Sequence, residues 1–320
     1  MSPAHTTHLH GLTTGPRSAL TLATLVLLVG AASSARANIN IVFDYTYDTN
    51  NFFSLQSRKD VLEAAAQAFE SRLTDTLTAI TSGGPSTFNI DFFNPADPFG
   101  PDLALNSFSI AANDVRVFVG GSNLGGALGV GGPGGFSSLG LTSLQAARNQ
   151  VGATGAAASR TDVGPWGGSI GFDNLTTWYF DADTSTTEAF PGLFDFYSVA
   201  VHELGHVLGM GTSNSWDNRI SGVTFNGTAA GTQTVTGDGG HWVTGTTSTV
   251  GVNPQAAAMT PSIAADTRKY FTTLDYAGLD DIGWDVSPIP EPATWLLWGA
   301  GGALLAGLRR RRARATAQAD

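Results

Sequence analysis

A chain of 320 residues with 42% hydrophobic residues can bury a substantial core, in one large domain or two modest ones. It contains no cysteine, which excludes disulfides, cysteine-ligated metals and a thiol nucleophile. Residues 38–289 hold nine basic and 24 acidic residues, a formal net charge of −15, so we expect no nucleic-acid partner.

The first 37 residues have the pattern of a signal peptide. Arg17 precedes an apolar run over 20–32, and Ala35, Arg36 and Ala37 form an A-x-A cleavage site. We predict cleavage before residue 38. The alternative is an uncleaved membrane anchor, but the apolar run is shorter than the ~20 residues that a span needs.

The next segment is predicted to contain strands and one long helix. Alternating apolar residues predict strands at 38–47, 87–93, 114–119, 167–172 and 176–181. A helix is predicted over 57–80, with Ser57 as its cap, because apolar residues recur there at helical spacing. We expect this helix to pack against the sheet as a backing helix.

Two further stretches leave alternatives open. Residues 120–135 include nine glycines, which favours a flexible surface loop, either a simple insertion or a mobile flap over a cleft. Asp181, Asp183 and Glu188 are a calcium-site candidate or, alternatively, a solvated acidic turn. The strands predicted at 167–172 and 176–181 come immediately before the stretch 197–211, and an edge strand beside a cleft can bind an extended peptide.

The most informative stretch is 197–211, which contains H-E-x-x-H as His202, Glu203 and His206. Histidines four residues apart lie on one face of a helix, so both imidazoles can reach one metal ion. Glu203 can reach a water beside that metal and take its proton, which is the chemistry of metal-assisted hydrolysis. The alternative is a helix with two incidental surface histidines.

The flanking residues predict the same helix independently. Asp195 is a suitable N-cap, and Gly209 and Gly211 can supply a positive-φ stop. An apolar stripe is formed by Tyr197, Val201, Leu204 and Leu208.

Zinc hydrolases usually provide three protein ligands, and the motif supplies two of them. The pattern H-E-x-x-H-x-x-G-x-x-H is matched through Gly209, but its last position is Thr212, a poor zinc ligand. Three of the six histidines precede the predicted cleavage site, which leaves His241 besides the motif pair. We favour His241 as third ligand, with Asp217 and Asp238 as chemical alternatives.

With these residues the chain resembles metzincin metalloproteases of leishmanolysin-like arrangement, in which a His-Trp pair and a methionine turn follow the helix motif. The matching residues are His202, Glu203, His206, Gly209, His241, Trp242 and Met259. The resemblance implies an α+β fold with a twisted mixed sheet, a backing helix, an active-site helix and a loop-rich C-terminal subdomain. It also implies a zinc endopeptidase that acts on proteins or peptides.

The region after the motif helix is predicted to be sparse in regular structure. Residues 212–240 should be loop with one hairpin, and 272–282 should form a last helix. The chain is also similar to exported bacterial metalloproteases with PEP-CTERM tails. Those proteins carry H-E-L-G-H-V-L-G, a later H-W and a closing L-D-x-A-x-L-x-D-I-G-W, which is found here at 274–284.

The C-terminus has the pattern of a membrane stop. Pro290, Glu291 and Pro292 precede an apolar run over 293–308 and then the basic run 309–312. This order resembles the PEP-CTERM sorting signal of Gram-negative bacteria. The resemblance implies an exosortase partner, transient contact with the inner membrane, and delivery to the cell surface or extracellular matrix.

The sequence therefore predicts a signal peptide (1–37), a zinc metalloprotease domain (38–287) and a sorting tail (288–320). Within the domain, an upper part (38–209) would precede a lower part (210–287). The predicted function is a secreted zinc endopeptidase with Glu203 as general base. The alternatives are a non-catalytic surface or exopolysaccharide-matrix protein that retains a zinc site, and a zinc hydrolase with non-peptide substrates.

Overall fold

A computed structural model of the protein describes residues 39–140, 163–186 and 188–288. The helices of this part are α1 (Gln56–Glu70), α2 (Phe196–Val207), α3 (Asn214–Asp217) and α4 (Thr273–Asp281). Its strands are β1 (Asn40–Asp44), β2 (Thr87–Phe92), β3 (Leu103–Leu105), β4 (Asp114–Ser122), β5 (Gly129–Pro133), β6 (Gly135–Leu139), β7 (Gly167–Asp173), β8 (Trp178–Tyr179), β9 (Phe194–Asp195), β10 (Ile220–Ser221), β11 (Thr224–Asn226), β12 (Thr232–Thr234), β13 (Thr247–Val250) and β14 (Asn253–Ala256).

The main sheet has the strand order β1-β4-β7-β5. β1, β4 and β7 run parallel, whereas β5 pairs antiparallel with β7 and places Gly129 opposite Phe172. β4 and β7 are almost completely buried, as expected for interior strands covered on both faces. The architecture is thus mixed α+β, as expected, and β5 occupies one edge of the sheet among the described residues.

Helices α1 and α2 pack against each other, and both contact this sheet. The buried side chains of α1 are Val61, Leu62, Ala65, Ala66 and Phe69. α2 is buried on nearly all sides, and its Phe196, Ala200, Val201 and Leu204 are fully inaccessible. Because α2 is enclosed by the sheet and by α1, its polar motif residues are held at fixed positions rather than on a mobile surface.

The prediction of a helix over 57–80 is wrong beyond Glu70. α1 begins at Gln56 after Leu55, and Ser57 does not cap it. Beyond Ser71 the chain is no longer helical, and Leu73 and Ile80 form isolated bridges with Val286 and Ile110. Apolar residues four apart lie on one side of a strand as well as of a helix, so spacing alone does not separate the two structures.

A smaller antiparallel sheet, with the order β3-β2-β6, lies beside the main one. Its apolar cluster contains Ile80, Phe88, Ile90, Phe92, Ile110, Phe118 and Trp166. Phe92 and Phe118 stack with ring centroids 4.1 Å apart. Phe118 belongs to β4 of the main sheet, so this cluster joins the two sheets.

The prediction of a loop over 120–135 is also wrong. β4 continues to Ser122, and the following glycines form β5 and the start of β6. A Cβ on Gly168 of β7 would lie 2.0 Å from the Gly132 oxygen. Glycine is therefore needed where these strands approach closely, and this close packing is a property of the sheet rather than of a flexible connector.

The C-terminal part consists of short elements. Residues 212–240, predicted as loop with a hairpin, contain the turn-length helix α3 and the antiparallel strands β10, β11 and β12. β13 and β14 form a separate hairpin. α4 agrees with the predicted last helix, and Thr272 caps it in a reciprocal box with Asp275.

The predicted signal peptide and the apolar run over 293–308 lie outside the described residues. Among the described helices, none has the length and apolarity needed to cross a bilayer. The division into an upper part (38–209) and a lower part (210–287) stays a prediction.

One partly buried carboxyl, that of Asp75, makes the stability of this domain pH-dependent. Burial raises the pKa of Asp75 to about 6, although backbone N–H donation from Asp285 opposes the shift. The folded protein then holds this proton more tightly than the unfolded chain, so the free energy of unfolding falls as pH rises from 3.8 to about 6.

We expect Asp75→Asn to increase the free energy of unfolding at pH 8 by about 1 kcal/mol, after allowing for partial solvent screening, and to leave it unchanged at pH 4. Denaturant unfolding at the two pH values measures this difference. Asp60→Asn, on the exposed side of α1, controls for the change in net charge. An equal effect of Asp75→Asn at both pH values would contradict the assignment.

Candidate metal centre

Helix α2 carries the H-E-x-x-H motif, and its N-terminus is anchored by charge. Asp195 caps the helix as predicted, because its Oδ2 accepts a hydrogen bond of 3.0 Å from the Ser198 N–H. The same carboxylate forms a bidentate pair with Arg268, at 3.1 and 2.9 Å, and is completely buried. The start of α2 is therefore fixed to the segment that follows Met259.

Three imidazoles converge at the other end of the helix. The Nε2 atom of His206 lies 3.1 Å from Nε2 of His202 and 3.1 Å from Nε2 of His241. Their ligand atoms all lie within 4.8 Å of one another. The structure thus brings together the two motif histidines and the third histidine favoured by sequence.

The opposite ring nitrogens determine the tautomers. His202 Nδ1 lies 2.8 Å from the Ala258 oxygen, and His206 Nδ1 lies 2.7 Å from the Met210 oxygen. A carbonyl only accepts, so both Nδ1 atoms carry the proton and both Nε2 atoms present lone pairs. Nδ1 of His241 is buried and has no hydrogen-bond partner among the described residues.

This donor set fits a zinc ion. Burial lowers the pKa of all three imidazoles, that of His206 to about 4, so they are neutral. Lone pairs that face each other at 3.1 Å repel unless a cation lies between them. Tetrahedral zinc with nitrogen ligands at 2.0–2.1 Å separates them by about 3.3–3.4 Å, close to the observed spacing.

Glu203 lies beside the three histidines and is 5% exposed. Burial raises the pKa of its carboxyl to about 8, although the Gly131 N–H donates to it and favours the ionised form. Among the described residues, no charged group contributes to this shift. A cation bound by the three imidazoles would lower the pKa of Glu203 again, because a nearby positive charge stabilises the ionised carboxylate.

The wall opposite Glu203 is the edge strand β5. A Cβ on Gly129 would lie 2.6 Å from Glu203 Oε1, and a Cβ on Gly131 would lie 2.7 Å from the Glu203 carbonyl oxygen. The glycines therefore allow the strand backbone to pack directly against the motif helix. A cleft of about 660 Å³ runs between β5, α2 and residues 258–263.

The position of His241 depends on a backbone contact. Gly211 has a φ of +71°, and a Cβ there would lie 2.1 Å from the Gly240 oxygen. Thr212, which occupies the last motif position, donates through Oγ1 to the His206 carbonyl at 2.6 Å and closes the helix. The contact between Gly211 and Gly240 thus brings the segment of His241 to the end of the motif helix.

The two aspartates considered as third ligands lie outside the histidine group. Asp217 is exposed on α3, and Asp238 accepts hydrogen bonds from the hydroxyl of Thr236 and from the Gly240 N–H, the latter at 3.0 Å. Neither joins the histidine group.

We expect Gly211→Ala to displace Gly240 and with it His241. Zinc affinity should fall by about 10–100-fold, the range found when a group that orients a metal ligand is lost. Gly251→Ala is the matched control, because Gly251 has a φ of +59° and a Cβ added there would have nothing within 4 Å. Competition with a chromogenic chelator measures the affinities. Equal zinc affinity in both variants would show that the Gly211 contact does not position His241.

Met259 lies directly beneath the motif helix. It is completely buried, and a Cβ on Gly205 would lie 2.6 Å from its Sδ. Gly205 therefore makes room for the methionine. The glycine predicted from the sequence to support the site was Gly209 instead. Gly209 has a φ of +105° and ends the helix.

Asp275 supports two of the three histidines, a role that was not predicted from the sequence. Its buried carboxylate accepts hydrogen bonds from the N–H groups of Ala258 at 2.8 Å and Met259 at 3.2 Å, and from Trp242 Nε1 at 2.9 Å. Ala258 orients His202 through its carbonyl, while Trp242 adjoins His241. The T-x-x-D capping box at the start of α4 was the available sequence signal.

The acidic residues considered for calcium bind protein donors. Asp181 pairs with Arg268 at 3.1 Å, Asp183 accepts from the Ser185 N–H at 2.9 Å, and Glu188 accepts from the Tyr179 hydroxyl at 2.6 Å. In the described part of the chain, the histidine group is the cluster of three or more potential ligands that meets at one point.

Residues 145–225 match the family model of the matrixins, Peptidase_M10. The matrixin match includes His202, Glu203, His206 and Gly209, and it ends before His241 and Met259. It supports a zinc metallopeptidase of the metzincin type, hence a hydrolase of peptides or proteins. Comparison with curated proteins and with solved structures gave no match.

Proposed function

We propose that the protein is an exported zinc endopeptidase of metzincin type in which Glu203 is the general base. The observation that carries the proposal is the convergence of the His202, His206 and His241 Nε2 atoms beside the buried Glu203 carboxyl. The matrixin match over the motif helix supports the same reaction class.

The chain provides groups suited to peptide hydrolysis. Zinc supplies Lewis acidity that lowers the pKa of water towards ~7. Glu203 accepts a proton from the water as its oxygen bonds to the peptide carbonyl carbon. The same carboxyl then gives the proton to the amide nitrogen as the carbon–nitrogen bond breaks. Burial of Glu203 keeps bulk water from competing for this proton.

The edge strand β5 provides a means of holding an extended peptide. One side of β5 pairs with β7, and no strand covers its other side among the described residues. Residues 129–131 of β5 line the cleft opposite the histidines. A peptide paired with β5 would cross the cleft with residues on both sides of its scissile bond, which favours an endopeptidase.

The location outside the cell is a separate part of the proposal. It is supported by the signal-peptide pattern over 1–37 and by the resemblance of 288–320 to a PEP-CTERM tail. Exosortase processing in a Gram-negative bacterium would deliver the protein to the cell surface or extracellular matrix.

The reaction can be tested with the purified protein and a denatured protein substrate. We expect cleavage that a chelator abolishes and that one equivalent of zinc restores, with metal content measured in parallel. Stoichiometric zinc without cleavage of any denatured substrate would overturn the peptidase assignment. Cleavage that persists in the metal-free protein would overturn the metal centre.

A further inference from the structure

A buried lysine lies in the wall of the cleft. Lys269 is 6% exposed and lines the cleft together with Thr260 and Ser262. Its ammonium donates to Thr260 Oγ1 at 2.7 Å and to the Ser262 carbonyl at 2.7 Å. An ammonium has three donors, so one remains after these two hydrogen bonds.

The charge of Lys269 is attracted by the Asp275 carboxylate but forms no direct ion pair with it. No ion pair of this residue occurs among the described residues, whereas its neighbour Arg268 pairs with both Asp181 and Asp195. The buried carboxylate of Asp275 is already bound by Trp242 and by the 258–259 backbone. Buried charges are normally paired, so an unpaired ammonium at a cleft wall favours an anionic ligand.

Lys269 also lies close to the metal centre. Its backbone N–H donates to the Ser198 hydroxyl at 2.6 Å, one turn before His202 on α2. Thr260 immediately follows Met259, beneath the helix. Apart from histidine, Glu203 and Lys269 are the ionisable residues of the described cleft lining. The domain as a whole is acidic, so this positive charge is a local feature.

We propose that Lys269 is a specificity-determining residue that binds a carboxylate of the peptide substrate. The inference rests on the proposed peptidase function and names its preferred substrate class. The carboxylate has two possible sources, an aspartate or glutamate side chain near the scissile bond or the C-terminus of the peptide. The competing explanation is that the two hydrogen bonds of the ammonium only hold the 260–262 turn in place.

The experiment compares matched peptides derived from a site that the protein cleaves. Each position around the scissile bond carries aspartate in one peptide and its neutral isostere asparagine in the other. A further pair differs only in a free or amidated C-terminus. In one of these pairs we expect kcat/KM to be about tenfold or more higher for the peptide with the carboxylate. This ratio corresponds to the loss of one hydrogen bond to a charged group.

Three variants separate recognition from structural support. Lys269→Met should reduce the carboxylate preference to about one, because kcat/KM falls more for the aspartate peptide than for its asparagine isostere. Lys269→Arg should retain the preference because it retains the charge. Lys59→Met, which alters the other lysine of the chain on α1, should leave the preference unchanged.

Binding gives a second readout that does not need turnover. Fluorescence anisotropy of the same labelled peptides on the zinc-loaded Glu203→Gln protein should show the same preference in Kd, and its loss when Lys269→Met is added. Equal affinity for aspartate and asparagine at every position, with no difference between free and amidated C-termini, would overturn the inference. So would an equal loss for acidic and neutral peptides in Lys269→Met, which would indicate a structural role.

The inference and the proposed function fail in different ways. Chelator-sensitive cleavage without a carboxylate preference contradicts the role of Lys269 alone. If no substrate is cleaved, the peptidase assignment fails, and anisotropy of other labelled peptide pairs that differ only in one aspartate or asparagine still tests whether Lys269 recognises a carboxylate.

Discussion

Replacement of Glu203 by glutamine should lower the rate of peptide hydrolysis by about 10²–10⁴-fold while one zinc ion remains bound. Glutamine has nearly the same shape as glutamate and can still accept the hydrogen bond from the Gly131 N–H. It cannot accept a proton from water. The loss should therefore appear in kcat, with the zinc affinity and the melting temperature close to those of the parent protein.

The measurement combines steady-state hydrolysis of a cleaved peptide with metal analysis. Glu63→Gln, which alters an exposed glutamate on α1, is the control and should retain the parental rate. A Glu203→Gln protein that keeps the parental rate would exclude this carboxyl as the base. Loss of zinc together with activity would mean that Glu203 contributes to metal binding instead.

Replacement of His241 by alanine should weaken zinc binding by at least about 100-fold, more than is typical for loss of a residue that only orients a ligand. The two remaining Nε2 atoms, on His202 and His206, belong to one helix and provide only two donors. Hydrolysis should be abolished at equimolar zinc, because the ion would no longer be retained. Competition with a chromogenic chelator measures the affinity directly.

Two aspartates serve as controls for this ligand assignment. Asp238→Asn and Asp217→Asn remove the carboxylates that were chemical alternatives to His241, and both variants should bind zinc like the parent protein. Asp238 lies three residues before His241, so its variant also tests whether the local loop tolerates a change. Stoichiometric tight zinc in His241→Ala, lost on adding Asp238→Asn or Asp217→Asn, would identify that aspartate as the third ligand.

The motif helix was predictable because its signals are local. Asp195 caps the N–H three residues later, and Gly209 ends the helix, as the residue types indicate. The same holds for α4, whose Thr272 cap lies next to the helix in sequence. β1, β2, β4 and β7 were likewise found from their alternating patterns, within a few residues at each end.

The glycine-rich stretch shows where local signals mislead. Glycine has no side chain that indicates which face of a strand is buried. Residues 120–135 therefore show no alternation of apolar and polar residues. β5 forms because β7 supplies hydrogen-bond partners and because only glycine fits beside the Glu203 backbone. Neither cause can be recognised from the stretch itself.

The sequence by itself determined the helix that presents His202, Glu203 and His206, and the predicted removal of residues 1–37 left His241 as the candidate for the third imidazole. The tertiary structure alone decided that His241 reaches the same point, through the Gly211 and Gly240 contact. It also decided that Lys269, which forms no ion pair with the described residues, lies in the cleft wall. Caps and periodicity act over one or two turns of chain. The meeting of segments 35 or more residues apart depends on close backbone approaches, which exist only once the whole domain is packed.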